Sequence, residues 1–335
     1  MHDESTVGSR VILSLLDRSR TRIGYSDGAA LTSTIERAVH AEKLGFHRFW
    51  VAEHHGVPGI ASGSPTVLLA AIGAHTSSIR IGSGGVMLPN HQPFVVAEQF
   101  AMLEALYPGR VDVGVGRSLG FTEPVRRALR TGTDEPDTFA EDLDELRGYL
   151  GGTGAVTVRP AVPEPPMYVL ATGQGLAVAA EAGLPVVVGG PIVNGDGSAL
   201  ETYRRRFRAT ESNPEPRVVV SLDITVSDTT EKARELALPE AWAMAQSRRT
   251  GEFPPLTDPA SIDLDAAPPR TRERVERSLA SAVLGTPDEV ASALDKLVET
   301  TGADEILAST STYSRTDLFD ADAALMSVVQ ASLSS

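Results

Sequence analysis

Eight short apolar runs, separated by segments with helical spacing, constrain this chain more than any other feature of its sequence. Continuous apolar runs of this length are typical of parallel strands that are buried on both faces. Eight strands, each followed by a helix, is the count of a TIM barrel. The sequence therefore predicts an α/β fold, a (β/α)8 TIM barrel, with strands at 11–16, 46–52, 79–88, 111–115, 167–171, 185–188, 218–226 and 305–308.

Two stretches interrupt this alternation. Residues 151–166 hold four prolines and three glycines, which indicate a loop. Residues 239–285 contain two Pro-Pro pairs and many charges, and they are too long for a simple βα loop. We expect residues 1–335 to form a single domain. Within it, 239–285 is an insertion before the last βα unit, either a lid over the site or a solvated surface excursion.

Charge and cysteine content exclude several classes of function. The formal net charge of −14 argues against binding to nucleic acid or to an anionic membrane, since both need a basic face. The absence of cysteine excludes disulfides, thiolate metal sites and a cysteine nucleophile. Residues 1–10 are polar, unlike a secretory signal, and no apolar stretch approaches the ~18 residues of a membrane span. We expect a cytoplasmic protein.

An acid and two imidazoles, Glu53, His54 and His55, lie where the second predicted strand gives way to a loop. Ligands bind at that end of the strands in alternating β/α folds. Histidine is the side chain best suited to move protons near neutral pH. Adjacent residues on a strand point to opposite sides, so at most one histidine is expected to face a given pocket. The alternative is a structural role for one or both. No further acidic partners for a metal are visible, and we expect none to be bound.

Two other motifs are less specific. Residues 116–120, Gly-Arg-Ser-Leu-Gly, match the nucleophile elbow of serine hydrolases, but every histidine lies at or before His91, so the downstream base of that fold is missing. Gly173-Gln174-Gly175 follows a predicted strand and resembles a dinucleotide fingerprint, although Val178 occupies the third small position. Such a turn still offers backbone N–H groups to an anion.

The combination of several motifs in order resembles one family. These motifs are Trp50-Val-Ala-Glu-His-His55, Gly82-Ser-Gly-Gly-Val-Met-Leu-Pro89, and Gly109-Arg110 followed by Gly114-Val-Gly-Arg117. They are similar to the luciferase-like monooxygenases, the flavin-dependent group that includes bacterial luciferase, and similar segments span nearly the full length. The resemblance implies a TIM barrel that binds reduced FMN at the C-terminal ends of its strands.

The resemblance also implies roles for individual residues. His54 matches the histidine that acts near the flavin, with Glu53 and His55 as orienting neighbours. Gly84 and Gly85 match a pair that often carries a cis peptide beside the isoalloxazine. Arg117 matches an arginine that contacts the flavin phosphate. Gly116 stands where bacterial luciferase has a reactive cysteine, so light emission is not expected. The phosphate-binding turn corresponds to Ala171, Thr172, Gly173, Gln174, Gly175 and Leu176.

The implied activity is that of a two-component, FMN-dependent monooxygenase. Reduced FMN and dioxygen would form a flavin C(4a)-hydroperoxide, which hydroxylates, epoxidises or inserts oxygen by Baeyer–Villiger chemistry into an organic substrate, as in secondary metabolism. No NADPH-binding signature is apparent, so a separate NAD(P)H-dependent flavin reductase would supply reduced FMN. Two alternatives remain open: a deazaflavin-dependent oxidoreductase of the same fold family, and a non-catalytic flavin-binding subunit.

One segment predicts assembly. Residues 65–75 are almost wholly apolar, although packing on a barrel needs only one stripe of a helix. Members of the family commonly dimerise through the helices after the early strands. We therefore expect a homodimer with this helix and the 93–107 helix at the interface. The alternative is a monomer in which 239–285 covers the apolar patch.

Overall fold

A computed structural model describes residues 11–132 and 136–331 of the chain. The polar segment 1–10 lies outside the described residues. The strands, in chain order, are β1 Ile12–Asp17, β2 Arg48–Val51, β3 Arg80–Ser83, β4 Val86–Met87, β5 Val111–Gly116, β6 Met167–Leu170, β7 Val186–Val188, β8 Val218–Leu222, β9 Ile224–Val226, β10 Val283–Gly285 and β11 Glu305–Ala308.

Eight of these strands close into a parallel barrel. The hydrogen-bonded order is β3-β2-β1-β11-β8-β7-β6-β5, and β3 pairs with β5 to complete the ring. Every pairing around the barrel is parallel. The TIM barrel predicted from the eight apolar runs is therefore confirmed.

Helices follow the barrel strands. They are α1 Asp27–Leu44, α2 Pro65–His75, α3 Pro93–Leu106, α4 Glu123–Leu129, α5 Phe139–Leu150, α6 Gly175–Ala182, α7 Ser198–Arg206, α8 Thr230–Thr250, α9 Pro269–Ala280, α10 Pro287–Thr301 and α11 Arg315–Ala331. Local signals set several of their ends. Thr286 and Glu289 form a capping box at the start of α10. Among the described residues, no helix is long and apolar enough to cross a bilayer.

The barrel interior is ionic at the N-terminal ends of the strands and apolar above these charges, toward the C-terminal ends of the strands. Leu16, Trp50, Tyr168, Val187 and Leu307 form a buried cluster inside the ring. At the N-terminal ends of the strands lies a network of buried charges. Arg48 Nη1 donates to Asp112 Oδ2 at 2.8 Å and Arg48 Nε lies 2.7 Å from Glu305 Oε1. We call this network the barrel plug; its members are Ser14, Arg48, Arg80, Asp112 and Glu305.

Two predicted strands are each divided in the structure. The run 79–88 breaks at Gly84 and Gly85, so that β3 ends and the short β4 begins beside β5. The run 218–226 breaks at Asp223, because β9 leaves the barrel and pairs with β10 in a separate two-stranded sheet. Both breaks lie at the C-terminal face of the barrel, which is where βα units build sites.

The insertion contains packed helices. Residue 239, at which we placed its start, lies inside α8, where Pro239 is buried. Helices α8 and α9 pack through Ala241, Ala245, Val275 and Leu279. The sequence did not predict these two helices, because Pro239 and the Pro-Pro pairs indicate breaks rather than helical continuity.

Candidate active site

A cavity of about 460 Å³ opens at the C-terminal ends of β2, β3, β5 and β6, and we call it the His54 chamber. It brings together residues that are far apart in the sequence but were predicted to act together. Its lining consists of Glu53, His54, Gly84, Gly85, Met87, Gly116, Arg117, Ser118, Phe121, Leu170 and Thr172.

His54 is neutral and carries an unused polar atom. Its Nδ1 is buried and has no hydrogen-bond partner among the described residues. Its ring stacks on Phe121, with centroids 5.3 Å apart and planes inclined by 8°. Burial, followed by the positive charges of Arg18 and Arg20, lowers the pKa of His54 to about 4. Near neutral pH this imidazole is therefore in its unprotonated form.

Glu53 holds the loop after β2 to the segment after β4. One carboxylate oxygen accepts hydrogen bonds from His55 Nε2 at 2.5 Å and His91 Nε2 at 2.7 Å, and the other accepts from the Met87 N–H at 3.1 Å. Burial alone would raise the pKa of Glu53, but these hydrogen bonds outweigh it and lower the pKa to about 2. Near neutral pH, Glu53 is therefore an anion whose hydrogen bonds position His55, His91 and Met87. His55 bonds to Glu53 and does not line the chamber.

The Glu53 cluster also resembles a metal site in composition. Glu53, His55 and His91 present ligand atoms that lie within 4.8 Å of one another. The hydrogen bonds among the three side chains already account for their arrangement. His91 was not predicted as a site residue, since a single histidine after a Leu-Pro-Asn turn carries no local signal.

Bare backbone forms the wall at Gly84 and Gly85. The peptide between them is cis, as the resemblance implies. A side chain at Gly85 would meet fixed backbone, whereas one at Gly84 would require Leu16 to move. A Cβ on Gly84 would lie 2.5 Å from Leu16 Cδ1, and one on Gly85 would lie 2.8 Å from the Gly114 carbonyl oxygen. A flat ring in the chamber therefore meets peptide groups directly at this wall.

The turn that reaches the His54 chamber at Thr172 has the features of an anion site. The N–H groups of Thr172, Gly173 and Gln174 have no hydrogen-bond partner in the part of the chain that the structure describes. Arg117 lies beside this turn, with Nη1 3.4 Å from Gln174 Oε1, and also forms an ion pair with the half-exposed Asp137. This pair is exposed enough that an incoming anion could replace the carboxylate.

The other residues of the predicted turn also make contacts within the fold. Ala171 is buried and its N–H donates to Val187 in β7, so it continues the barrel ladder. Gly175 begins α6, and the Leu176 side chain is buried in the core between barrel and helices. These residues shape the turn, and of its side chains Thr172 lines the His54 chamber.

Residues that the sequence analysis missed connect the insertion to the loop after β2 and to the His54 chamber. Arg20 donates from Nε to Glu240 Oε2 of α8 at 2.8 Å and from Nη1 to the Gly59 carbonyl at 2.6 Å. Phe253 of the insertion packs edge-on against Phe121, with ring centroids 5.3 Å apart. Of these residues, Arg20 alone could have been predicted, because it follows closely after the C-terminal end of β1. Glu240 and Phe253 reach the site through tertiary contacts alone.

Comparison with known proteins gives full-length matches. The chain is 37% identical over 315 residues to the protein YvbT of Bacillus subtilis (strain 168), covering 91% of this chain and 93% of that one. It is 34% identical over 307 residues to a luciferase-like monooxygenase of Escherichia coli (strain K12), covering 89% of this chain and 90% of that one.

Solved structures show the same architecture. The crystal structure of apo-MsnO8 matches with a TM-score of 0.87 and 32% identity, covering 96% of this chain and 98% of the other. More distant neighbours, at 17% identity each, share the fold. One is the oxygenating constituent of 3,6-diketocamphane monooxygenase of Pseudomonas putida in complex with FMN, with a TM-score of 0.72. Another is an F420-dependent secondary alcohol dehydrogenase, with a TM-score of 0.67.

The family assignment covers most of the chain. A model of the luciferase-like monooxygenase family matches residues 10–305, a span that includes every residue of the His54 chamber. The match agrees with the motifs from which the resemblance was inferred. This chain therefore belongs to the luciferase-like monooxygenase family and is a monooxygenase enzyme.

Proposed function

We propose that this chain is the oxygenating component of a two-component, FMN-dependent monooxygenase. The observation that carries the proposal is His54, with its buried and unpartnered Nδ1, beside the bare backbone of Gly84 and Gly85. A separate NAD(P)H-dependent reductase would supply reduced FMN, since the Gly173-Gln174-Gly175 turn lacks the third small position of a dinucleotide fingerprint.

The residues of the His54 chamber fit a flavin mononucleotide. Arg117 and the free N–H groups of residues 172–174 suit a phosphate, because a planar guanidinium and converging backbone donors both recognise such an anion. The glycine wall suits a flat ring system, which needs close approach to the backbone. The orphaned His54 nitrogen suits a polar group at the reacting end of that ring.

The chain's own residues would then control protons and water. Reduced FMN, when bound, supplies the electrons that activate dioxygen. His54 would present a neutral imidazole with an unpartnered ring nitrogen through which a proton can pass to or from the bound ligand, since its lowered pKa disfavours the charged form. Glu53 would keep the loop of His54 in place through its bonds to His55, His91 and Met87. Phe121 and Phe253 would limit the entry of water, which protects reactive species.

We also propose the setting in which the enzyme acts. The acidic, cysteine-free composition suits a reducing cytoplasm. The insertion contacts Phe121 of the His54 chamber through Phe253 and binds Arg20 through Glu240. It would therefore act as a cover over the His54 chamber. Exposed apolar side chains on α2 and α3 support a homodimer. The substrate is a small organic molecule, oxidised by hydroxylation, epoxidation or Baeyer–Villiger insertion.

Anaerobic titration distinguishes the flavin from a deazaflavin. Reduced FMN and reduced F420 are titrated separately into the protein, and each complex is then mixed with dioxygen while cofactor absorbance is followed. We expect tighter binding of reduced FMN, and reoxidation of the bound cofactor with a time course different from that of free FMN. Selective binding of F420 would replace the proposal with a deazaflavin-dependent oxidoreductase. Binding of reduced FMN followed by reoxidation with the time course of free FMN would indicate a non-catalytic flavin-binding subunit.

A further inference from the structure

A second and larger cavity adjoins the His54 chamber. It has a volume of about 730 Å³, within the usual range for small-molecule sites. Leu170 and Thr172 line both cavities and so form their common wall. The strands β1, β6, β7, β8 and β11 contribute their C-terminal ends to it, and α8, β10 and α10 close its outer side. We call it the Asp223 chamber.

The wall of the Asp223 chamber is mostly apolar. Its hydrocarbon surface comes from side chains on several different elements, among them Val187, Leu222, Met244, Val283 and Leu297. Such a lining favours a ligand with an apolar body, because binding removes hydrocarbon from water on both sides. Charged side chains in the lining are few: Arg18, Asp223 and, on the exposed flank of α10, Lys296.

Asp223 supplies a fixed carboxylate with one free oxygen. It occupies the break between β8 and β9, at the C-terminal end of a barrel strand. Its Oδ1 accepts hydrogen bonds from Arg18 Nη2 at 2.8 Å and Ser309 Oγ at 2.7 Å. Its Oδ2 has no hydrogen-bond partner within the described ranges, and the side chain is 34% exposed. The carboxylate is therefore held in orientation while it remains able to accept a bond from a ligand.

The neighbouring arginine does not offer the same opportunity to an anion. Arg18 Nη1 already donates to Glu240 Oε1 at 2.8 Å, and Nη2 is shared by Asp223 and Ser309. Two carboxylates, Asp223 and Glu240, thus occupy both terminal nitrogens of this guanidinium. A ligand carboxylate in the chamber would approach the free Asp223 oxygen and be repelled by it.

We propose that the Asp223 chamber binds the organic substrate, and that Asp223 selects molecules with an apolar body and a hydrogen-bond-donating head, an amine or a hydroxyl, over carboxylates. The inference rests on the proposed function, because it assigns the flavin to the His54 chamber and leaves this cavity for the molecule that is oxidised. The common wall of Leu170 and Thr172 would place the two ligands side by side.

Three probes with one hydrocarbon chain test the selectivity: octylammonium, 1-octanol and octanoate. Binding to the full-length protein is measured by isothermal titration calorimetry at pH 7. We expect octylammonium to bind about tenfold or more tightly than octanoate, the scale of one charge-assisted hydrogen bond, with octanol between them. In Asp223→Asn the ratio of the two dissociation constants should fall to about twofold or less.

Two further variants test whether the selectivity arises at Asp223 and whether the probes occupy the Asp223 chamber. Glu276→Gln removes an exposed acid of α9 that pairs with Arg234 and lines neither chamber, so it should leave the ratio within about twofold of wild type. Met244→Trp fills part of the chamber and should weaken all three probes alike. Thermal unfolding of each variant reports whether it is folded. If Asp223→Asn does not fold, the effect of Met244→Trp and the wild-type ranking of the three probes still test the proposal.

Several results would overturn the proposal. They are tightest binding of octanoate, a ranking that Asp223→Asn leaves unchanged, probe binding that Met244→Trp does not affect, or no binding of any probe. Reduced FMN is titrated into the same wild-type protein without probes. A protein that binds FMN but fails the probe tests refutes the Asp223 chamber alone. A protein that passes the probe tests but does not bind FMN refutes the proposed function instead.

Discussion

The surroundings of His54 keep its imidazole neutral and leave its Nδ1 without a partner. We predict that His54→Gln retains binding of reduced FMN but lowers the yield of oxygenated product by about a hundredfold, the usual scale for loss of a general acid or base. Product is measured by ¹⁸O₂ incorporation into substrate. His40→Gln is the control, because His40 stacks on Phe319 away from the chamber. Unchanged incorporation in His54→Gln would contradict the proton-transfer role.

The same residue gives stability a pH dependence. The pKa of His54 is lowered from 6.5 to about 4. Between pH 4 and pH 6.5, this histidine is therefore mostly protonated in the unfolded chain and mostly neutral in the folded chain. Stability should therefore fall as the pH is lowered, by at most about 1.4 kcal/mol per pH unit from this residue. Urea unfolding at pH 7 and pH 5 measures it. Glu53 does not interfere in this window, because its contribution is lost only as the pH falls from 4.5 toward 2.

Comparison with His54→Gln isolates the histidine. The variant should lose less stability than the wild type between pH 7 and pH 5, because glutamine does not titrate. An equal loss in both proteins would assign the pH dependence to other groups.

Arg117 and Asp137 form a pair that competes with the proposed phosphate. Arg117→Ala should weaken FMN about ten- to a hundredfold while riboflavin, which lacks the phosphate, changes little. Asp137→Asn should have the opposite sign and strengthen FMN a few-fold, since an exposed ion pair is worth roughly 0–1 kcal/mol. Fluorescence titration with both flavins measures these affinities. Equal losses for FMN and riboflavin in Arg117→Ala would show that the arginine is structural.

At the level of elements, helices α2 and α3 present an apolar face to solvent. Val67 of α2 is 72% exposed, and Met102 and Leu106 of α3 are 56% and 61% exposed. In α3, Val95, Met102 and Leu106 are spaced by seven and four residues, so they lie on one side of the helix. This face is the expected dimer interface, because an isolated monomer rarely exposes such a patch.

Light scattering tests the dimer. The wild type should have twice the chain mass of 35.4 kDa at micromolar concentration. Met102→Glu with Leu106→Glu should shift the mass toward that of one chain, since buried charges without partners oppose association. Val156→Glu changes an exposed apolar residue elsewhere and should leave the dimer intact. A wild-type monomer would refute the interface.

Elements differed in how well the sequence predicted them. The barrel strands were predictable because each is a short apolar run with little choice of environment, as in β7 and β11. Helix α8 was missed because Pro239 indicates a break, yet it is buried within a continuous helix. Glu53 and His54 were singled out because they stand just after a predicted strand, whereas Arg117 was assigned through the family resemblance. Phe253 and Glu240 owe their positions to the packing of the insertion, which local patterns do not encode. Asp223 was missed because the run 218–226 was predicted as one strand, whereas the structure breaks it at this residue.

At the level of the whole molecule, the two ends of the barrel carry different tasks. The plug at the N-terminal end consists of buried charges that pair with one another, whereas the C-terminal end carries both chambers. This division is general among TIM barrels. It implies that stability and activity should respond to different substitutions.

Glu305→Gln tests this division. It leaves Arg48 with one buried acid fewer and should lower the free energy of unfolding by about 3–5 kcal/mol, the cost of breaking a buried ion pair. Urea unfolding measures the change. The affinity of the folded variant for FMN should match that of the wild type, because Glu305 lines neither chamber. An affinity changed more than about threefold would show that the plug and the site are coupled.

Met87 lines the His54 chamber, Met244 lines the Asp223 chamber, and the chain contains no cysteine. With the proposed chemistry, hydrogen peroxide forms within these walls whenever oxygen transfer fails. A thiol placed there would be driven to acids that cells largely cannot reverse, whereas a thioether stops at a sulfoxide that cellular reductases restore. If the proposed chemistry operates, we expect oxidative damage to fall first on these two methionines, so that the working lifetime of the enzyme depends on the sulfoxide reductases of the cell as well as on its own fold.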